Sequence, residues 1–438
     1  MRIEFINHAS VKIVTNATRI TSDPWYSGSA FNNGWDLICS DPGMVATAAN
    51  STHIWLSHEH PDHFSVAFFK AMPNRDARVL FQKTADRRVV TYLRSQGFAV
   101  DEVANGEIFT IAPGETVRIG RSGFYDSWNL FRAEGRAILN LNDCELNTES
   151  DLLKLKSEVG PIDVLLTQFS YAAWKGGRAN KSLREAAARG KLAAVRRQIA
   201  CLRPTYVIPF ASFIYFSHVE NAYLNDAIND IAAVLNALTA YDCKAIVMKP
   251  GDVWEVGTPW DDRGATAFWQ AAYSSLPTLP LHNGSQSTPI SALGAHCRIY
   301  QKRVFAKNSK WLIRLASVLP LAEAFRPLLI KLTDLNSTVR FSFFDDLREV
   351  QSDTTPDVEM SSESLDFIFL NEFGYDTLTV NGRFEASAHG FSRMTKNFAI
   401  GSLNALGLAL TPSLIGNADV VLLLTSKLRS FIRKMDRS

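Results

Sequence analysis

Short apolar runs bounded by Gly, Pro, Asn or Asp recur through the first ~260 residues, and runs of this kind predict strands. They fall at Arg2–Ile6, Val11–Thr15, Arg19–Ser22, Ile54–Ser57, Arg78–Phe81, Val117–Arg121, Ala137–Leu141, Asp163–Thr167, Tyr206–Phe210 and Lys244–Lys249. Helical spacing predicts Phe64–Met72, Ala85–Gln96, Glu149–Val159, Leu183–Leu202 and Asn221–Ala240. Early strands follow one another closely and later ones are separated by helices, which implies sheets covered by helices on their outer faces. The texture changes near Trp260. Gly264 to Pro289 is rich in Gly, Ser, Thr and Pro and reads as a linker or a wrapped connection. A helical stretch near 306–335 follows, then strands at Val358–Leu370 and Tyr375–Phe384, then apolar helical segments. The division expected is 1–260, a connection over 261–290, and an accessory region over 291–438.

Composition narrows the class. Apolar residues are 46% and charged residues 21% of the 438, an ordinary globular balance. Basic side chains number 46 against 44 acidic, a formal charge of +2, so bulk charge gives no pointer to nucleic acid. Five cysteines without a CxxC pair exclude a disulfide framework and a cysteine-based zinc or Rieske iron–sulfur site, and they suit a cytoplasmic protein. The N-terminus alternates as a strand does and lacks the features of a signal peptide. Trp311 to Leu332 and Ile400 to Leu424 are each interrupted by charged or polar residues; both read as packed helices, and membrane contact is not expected.

The sharpest chemical signal is Leu56-Ser57-His58-Glu59-His60-Pro61-Asp62-His63-Phe64. Four of nine histidines lie between His53 and His63. The cluster follows an apolar strand and precedes a helix. A strand-end loop turns alternate side chains toward one point, and imidazoles with a carboxylate bind zinc, iron or manganese. The zincin motif HExxH is not met, because Asp62 stands where its second His is required. Glu59 alternates away from His58 and His60.

The HxHxDH run at a strand end resembles the signature of the metallo-β-lactamase superfamily. Asn7-His8-Ala9-Ser10 and Ser22-Asp23-Pro24-Trp25 resemble its lactonase and phospholipase branch. Tyr125-Asp126-Ser127-Trp128, Asn140-Leu141-Asn142-Asp143-Cys144, Gln168-Phe169-Ser170 and Ile208-Pro209-Phe210 resemble the metallo-β-lactamase part of the CMP-N-acetylneuraminate hydroxylases, over roughly residues 1–260. In those hydroxylases a Rieske domain precedes this part and feeds it electrons, whereas this chain starts directly at the metallo-β-lactamase-like region.

The resemblance implies an α/β (α+β) fold, an αββα sandwich with a C-terminal mixed α/β extension, and a dinuclear metal site at one edge. On the superfamily pattern His58 and His60 bind one metal, Asp62 and His63 the other, and Asp143 bridges; a turn-forming Asp is the competing reading of Asp143. The usual third ligand of the first metal is a His shortly before the bridging Asp, and no His lies between His63 and His218. Asp126 is the expected replacement, against a plain turn Asp. The usual last His is missing after Ile208-Pro209, and His218 is the candidate for the second metal, against a helix-capping or core His. His8 and Asp23 are expected to orient ligands or bound solvent by hydrogen bonds, with a structural His as the other reading of His8. Carboxylates in place of imidazoles harden the site and favour iron or manganese over zinc.

A basic tract runs from Lys175 to Arg203, nine Lys and Arg against Glu185 alone. Lys175 and Arg178 are the expected contacts to a phosphate or carboxylate; the alternative is a solvated helix face. Aromatics suited to base stacking are sparse here, so nucleic acid is not the expected partner. Cys144 is a reactive thiol by position only, or a packed one.

Two functions fit. One is a non-haem diiron oxygenase, a hydroxylase acting on an anionic small molecule with electrons from an external donor. The other is a dinuclear hydrolase of a phosphodiester, thioester, lactone or amide, with zinc or another metal activating a bridging hydroxide.

Overall fold

The computed structural model describes residues 1–412 except 124, 125, 147, 285, 319–323, 352–354 and 406. Tyr125, the latter part of the Ile400–Leu424 stretch and residues 319–323 of the Trp311–Leu332 stretch therefore lie outside the described residues. The chain divides into two compact units, Met1–Asn283 with Thr379–Arg383, and Gly284–Leu378 with the residues from Phe384 on.

The first unit holds two seven-stranded sheets. One has the order Val253–Glu255, Arg2–Asn7, Ser10–Val14, Arg19–Ser22, His53–Leu56, Arg78–Gln82, Val100–Val103. The other has the order Lys244–Ala245, Tyr206–Phe210, Val164–Gln168, Arg136–Asn142, Asp126–Ala133, Glu115–Ser122, Ile108–Ala112. Strand side chains alternate between faces, and the two faces have different fates. Trp55 and Leu80 join the core shared with Ile138 and Leu166 of the other sheet. Their neighbours Ile54, Leu56, Val79 and Phe81 pack instead with Phe68, Phe69, Val90 and Leu93 of the helices Val66–Ala71 and Arg88–Ser95. Helices Glu149–Val159 and Lys181–Leu202 bury Leu155, Val159, Val195 and Ile199 in the larger core. Two sheets face to face with helices outside are the αββα sandwich of the metallo-β-lactamase fold.

Local rules explain the joints. Ser65 and Thr148 accept from Phe68 N–H and Asp151 N–H and so start their helices. Gly120 lies opposite Trp128 in the ladder; a Cβ there would fall 2.0 Å from the indole, so only glycine lets that ring lie across the strand. Strands Arg19–Ser22, His53–Leu56 and Arg78–Gln82 run parallel, as do Arg136–Asn142, Val164–Gln168 and Tyr206–Phe210. Parallel strands place their C-terminal ends on one side, where ligands of α/β sheets gather.

Several expectations need correction. Residues 263–274, read as part of a connection, form a helix whose Trp269 is fully buried in the first unit's core. The helix expected over Asn221–Ala240 breaks into a 3₁₀ turn at Ala222–Ala227 and a helix at Ile231–Leu238, capped by Asp230. Lys244–Lys249 pairs only at Lys244–Ala245.

The second unit is a five-stranded sheet of order Arg348–Glu349, Ser337–Phe341, Leu328–Leu332, Val358–Met360, Phe384–Ala386, with helices Ile290–Lys307, Lys310–Val318, Ser362–Leu370 and Ala388–Ala405. Here the expected strand Val358–Leu370 is a strand only to Met360. Beyond Ser361, buried Leu365, Ile368 and Phe369 recur at helical spacing. Tyr375–Phe384 is likewise helical over Gly374–Asn381. The helix expected near 306–335 gives way by Leu328–Leu332 to a strand, whose alternate residues are buried. Tyr300, Phe341, Phe369 and Phe398 form an aromatic core, with Phe341 and Phe398 centroids 4.9 Å apart. Among the described residues no helix is long and apolar enough to cross a membrane.

Candidate metal centre

The strand His53–Leu56 is buried throughout, and the loop that leaves its end carries the His-rich run. Two groups of side chains meet there. His58, His60, Asp126 and Asp143 each offer a ligand atom within 4.8 Å of the others, and so do His8, Asp62 and His63. The topology explains the convergence. Asp143 follows Arg136–Asn142, and Asp126 opens the antiparallel neighbour of that strand. Both carboxylates thus reach one sheet edge from adjacent strands.

Asp143 lies between the groups. Its Oδ2 is 3.8 Å from His58 Nε2 and 3.6 Å from His63 Nε2. Asp126 Oδ1 is also 3.8 Å from His58 Nε2, and Asp62 Oδ2 is 3.1 Å from His63 Nε2. Ligands about 2.1 Å from a shared divalent ion stand roughly 3–3.6 Å apart; the two His63 spacings fall in that range, and the two His58 spacings lie 0.2 Å beyond it. Buried atoms support the same fit. His8 Nε2, Asp62 Oδ1 and Asp143 Oδ1 are buried without a hydrogen-bond partner, a costly state unless a ligand completes it.

Electrostatics suit a cation at this position. Burial, then Asp143 and Glu145, push the Asp126 carboxyl well above its usual range. A bound cation would reverse this. Burial holds His58 well below its ordinary value, so it stays neutral, as a ligand must. Burial alone would lower His63, but Asp62 and Asp143 outweigh it and raise that imidazole well above normal.

A second ring of hydrogen bonds fixes the ligands. Asp23 Oδ2 lies 3.1 Å from His63 Nδ1, which leaves Nε2 pointing at the metal position. Asp23 Oδ1 accepts from Ser57 N–H at 2.7 Å. Ser57 Oγ is 2.9 Å from His58 Nδ1. Asn142 Nδ2 donates to both Asp23 Oδ2 and Ser57 Oγ at 2.6 Å. His8 Nδ1 accepts from Phe213 N–H at 3.3 Å, so the neutral ring carries its proton on Nε2, 3.5 Å from Asp62 Oδ2. That geometry turns the His8 proton toward Asp62 without closing a hydrogen bond. His8, Asp23, Asn142 and Ala211 all adopt left-handed φ, from 33° to 55°. Such strain on non-glycine residues concentrates at functional sites.

Two residues named from the sequence lie elsewhere. His218 joins neither group; its Nδ1 accepts from Glu220 N–H at 3.2 Å, and its backbone bridges His282. Arg178 donates to the carbonyls of Val219 and Glu220 and stacks 4.7 Å over Tyr223. Glu59 turns toward Arg88, at 3.9 Å. Cys144 is packed in the core, and burial with Asp126 and Asp143 holds its thiol well above the usual value, against a reactive thiolate.

A cavity of ≈180 Å³ opens on the metal position. Lys175 lines it, as expected. Lys191 of the basic tract and Gln168 of the Gln168-Phe169-Ser170 motif line it without having been assigned a role, and Glu145, Phe31 and Val380 line it without having been named. Lys191 projects from helix Lys181–Leu202 and donates to Gln168 Oε1. Burial pulls its ammonium down in pKa, with Glu145 and Asp143 opposing.

The fold is of the metallo-β-lactamase type, and its sheet edge carries His/Asp groups that could hold metal. No family model matches the chain. Within that class its sequence is similar to the cytidine monophosphate-N-acetylneuraminic acid hydroxylase of Xenopus laevis, 25% identical over 280 residues, 59% of this chain and 46% of the relative. It is also similar to a Mycobacterium tuberculosis protein named for a Rieske 2Fe-2S iron–sulfur centre, 28% identical over 253 residues, 53% of this chain and 48% of the relative. The chain thus spans about half the length of these curated relatives. Among solved structures, CmlA, a diiron β-hydroxylase from Streptomyces venezuelae, aligns with TM-score 0.41 and 16% identity over 58% of this chain and 54% of that one.

Proposed function

We propose that the chain is the metal-bearing part of a dinuclear non-haem iron oxygenase, a hydroxylase acting on an anionic small molecule with electrons from an external donor. The observation that carries this is Asp126. It stands in the first ligand group where an imidazole would otherwise complete the set, and three carboxylates serve the two groups. Oxygen-rich donor sets suit iron or manganese. The hydroxylase relatives, and the relative named for an iron–sulfur centre, support both the reaction type and the need for a donor.

His58, His60, Asp126 and Asp143 would hold one ion, Asp62, His63 and the shared Asp143 the other. An iron pair bound there supplies the reduction of O2 that hydroxylation needs. The chain's own residues do the rest. Asp23 and Ser57 keep the ligand imidazoles in the tautomers that face the metals. His8 turns its Nε2 proton toward Asp62 and would orient that carboxylate beside the metal. Phe31 and Val380 wall the cavity and exclude water, and Lys175 faces the substrate's negative charge.

The competing reading is a hydrolase that uses a metal-bound hydroxide. The histidine-rich loop favours it, because three imidazoles also suit zinc. Anaerobic turnover separates the two. The oxygenase requires O2 and a reductant, a partner protein or dithionite with a mediator. Product formed from a candidate substrate without either ends the oxygenase reading, whichever metal is bound.

A further inference from the structure

We infer that Lys191 and Lys175 form the anion-recognition site of the cavity, and that the ligand places a carboxylate or phosphate directly beside the metal position. The inference rests on the reading of a two-metal centre and deepens it by assigning the contact that selects the substrate.

The basic tract sorts itself in the structure. Arg184 is buried and bidentate to Asp226, at 2.7 Å from both carboxylate oxygens. Arg178 is directed to backbone carbonyls and a tyrosine ring. Arg189, Arg196 and Arg197 lie on the exposed face of their helix. Only Lys175 and Lys191 of the nine line the cavity.

Charge then decides what the pair is for. Four carboxylates line the cavity or its floor: Asp62, Asp126, Asp143 and Glu145. Two divalent cations offset them. Lys175 and Lys191 leave the loaded cavity with a surplus of positive charge. A lysine needed only to neutralise carboxylates would be superfluous beside the metals. Lys191 is also held ready. Its ammonium donates to Gln168 Oε1, which aims the stem while leaving two further donors on the nitrogen. The same cavity is lined by His60, Asp126 and Asp143 of the ligand groups, so an anion held by the two lysines lies beside the metal position.

The test uses the full chain loaded with zinc, which is redox-silent, so that anion binding is read apart from any oxygenase chemistry. Inorganic phosphate and acetate are titrated calorimetrically at low ionic strength into wild type, Lys191→Met, Lys175→Met and the surface control Arg197→Ala, with zinc content measured for each. The expected result is binding of at least one anion, weakened at least tenfold in Lys191→Met and unchanged in Arg197→Ala. Whichever anion binds more tightly identifies the group as carboxylate or phosphate. Equal binding by wild type and Lys191→Met, no binding of either anion to wild type, or equal loss in Arg197→Ala overturns the inference. If Lys191→Met loses its zinc, reductive methylation of wild type decides: phosphate or acetate should protect Lys191 from modification, and equal labelling with and without anion overturns the assignment. A hydrolase result in the anaerobic assay would sink the oxygenase reading and leave this one standing.

Discussion

Asn381 donates from Nδ2 to the carbonyl oxygen of Phe31 at 3.0 Å, across 350 positions of sequence. The bond belongs to a strap, Thr379–Arg383, that is part of the first unit. Phe31, Asn32 and Asn33 are three successive left-handed residues, φ 52° to 55°, a run that L side chains do not hold unaided. Arg383 secures the same turn through Nη1 to Asn32 O at 2.9 Å, while its Nε meets Glu220 at 2.6 Å. The Phe31 ring then sits 5.6 Å from that of His60.

Loosening the strap should therefore disturb the cavity wall before it disturbs the metals. Asn381→Ala removes one of two donors to the Phe31 carbonyl, which keeps the Gly34 N–H at 3.1 Å, and should cost about 0.5–1.5 kcal/mol. Gly34→Ala should cost more, because its Cβ would fall 2.4 Å from Asn381 Cβ. Thermal unfolding should rank wild type above Asn381→Ala above Gly34→Ala. Metal content of the folded fraction should stay at the wild-type level. Loss of metal in Asn381→Ala would mean that the strap acts on the ligands themselves.

Asp126 is expected to govern metal choice. Asp126→Ala removes one of four donors around the first position and should cost one of two metals. Asp126→His restores an imidazole and should keep two metals while raising the zinc-to-iron ratio severalfold in protein grown on defined medium. Elemental analysis of both variants checks this. An unchanged ratio in Asp126→His would remove the argument from carboxylate hardness.

The sequence made the centre of this site legible because local rules write it. The apolar run His53–Leu56 predicts a strand, and alternation beyond its end aims His58 and His60 together. Asp126 and Asp143 were legible only through the likeness of their motifs. Asn142 was not singled out, since a hydrogen bond to Asp23 spanning 119 positions leaves no spacing to read. Lys191 was hidden among nine similar residues: helical periodicity says which ones share a face, but not which face meets a cavity. In the second unit, Ser362–Leu370 misled because its apolar run is short enough to suit either a strand or a helix, and only packing decides.

Metal binding should release protons at neutral pH. In the metal-free protein His63 is raised well above its ordinary value of 6.5. A raised pKa gives folding stability that is fully present below the unfolded value and is lost as pH rises through the folded one. The raised value favours a protonated His63 near neutrality, and its Nε2 must give that proton up to ligate. Zinc titrations at pH 7 in buffers of different ionisation enthalpy should show net proton release. Zinc binding with no proton release would contradict the raised value of His63.

The last prediction concerns His8, whose position beside Asp62 and His63 allows two roles. As a ligand it would have to present a lone pair on Nε2. Its Nδ1 already accepts from Phe213 N–H at 3.3 Å, so a neutral ring keeps its proton on Nε2 and can only donate there. The nearest acceptor is Asp62 Oδ2 at 3.5 Å. Glutamine retains an amide donor of similar reach, so His8→Gln should hold both metals and leave Asp62 oriented. Second-sphere changes of this kind weaken metal binding by ~10–100-fold when the donor is removed altogether, which is the loss expected for His8→Ala. Asp62→Asn, in contrast, removes a ligand charge and should empty the second position. Competition with a chelator ranks the three variants. If His8→Gln loses the second metal as completely as Asp62→Asn, His8 is a ligand and the tautomer inferred from Phe213 is wrong.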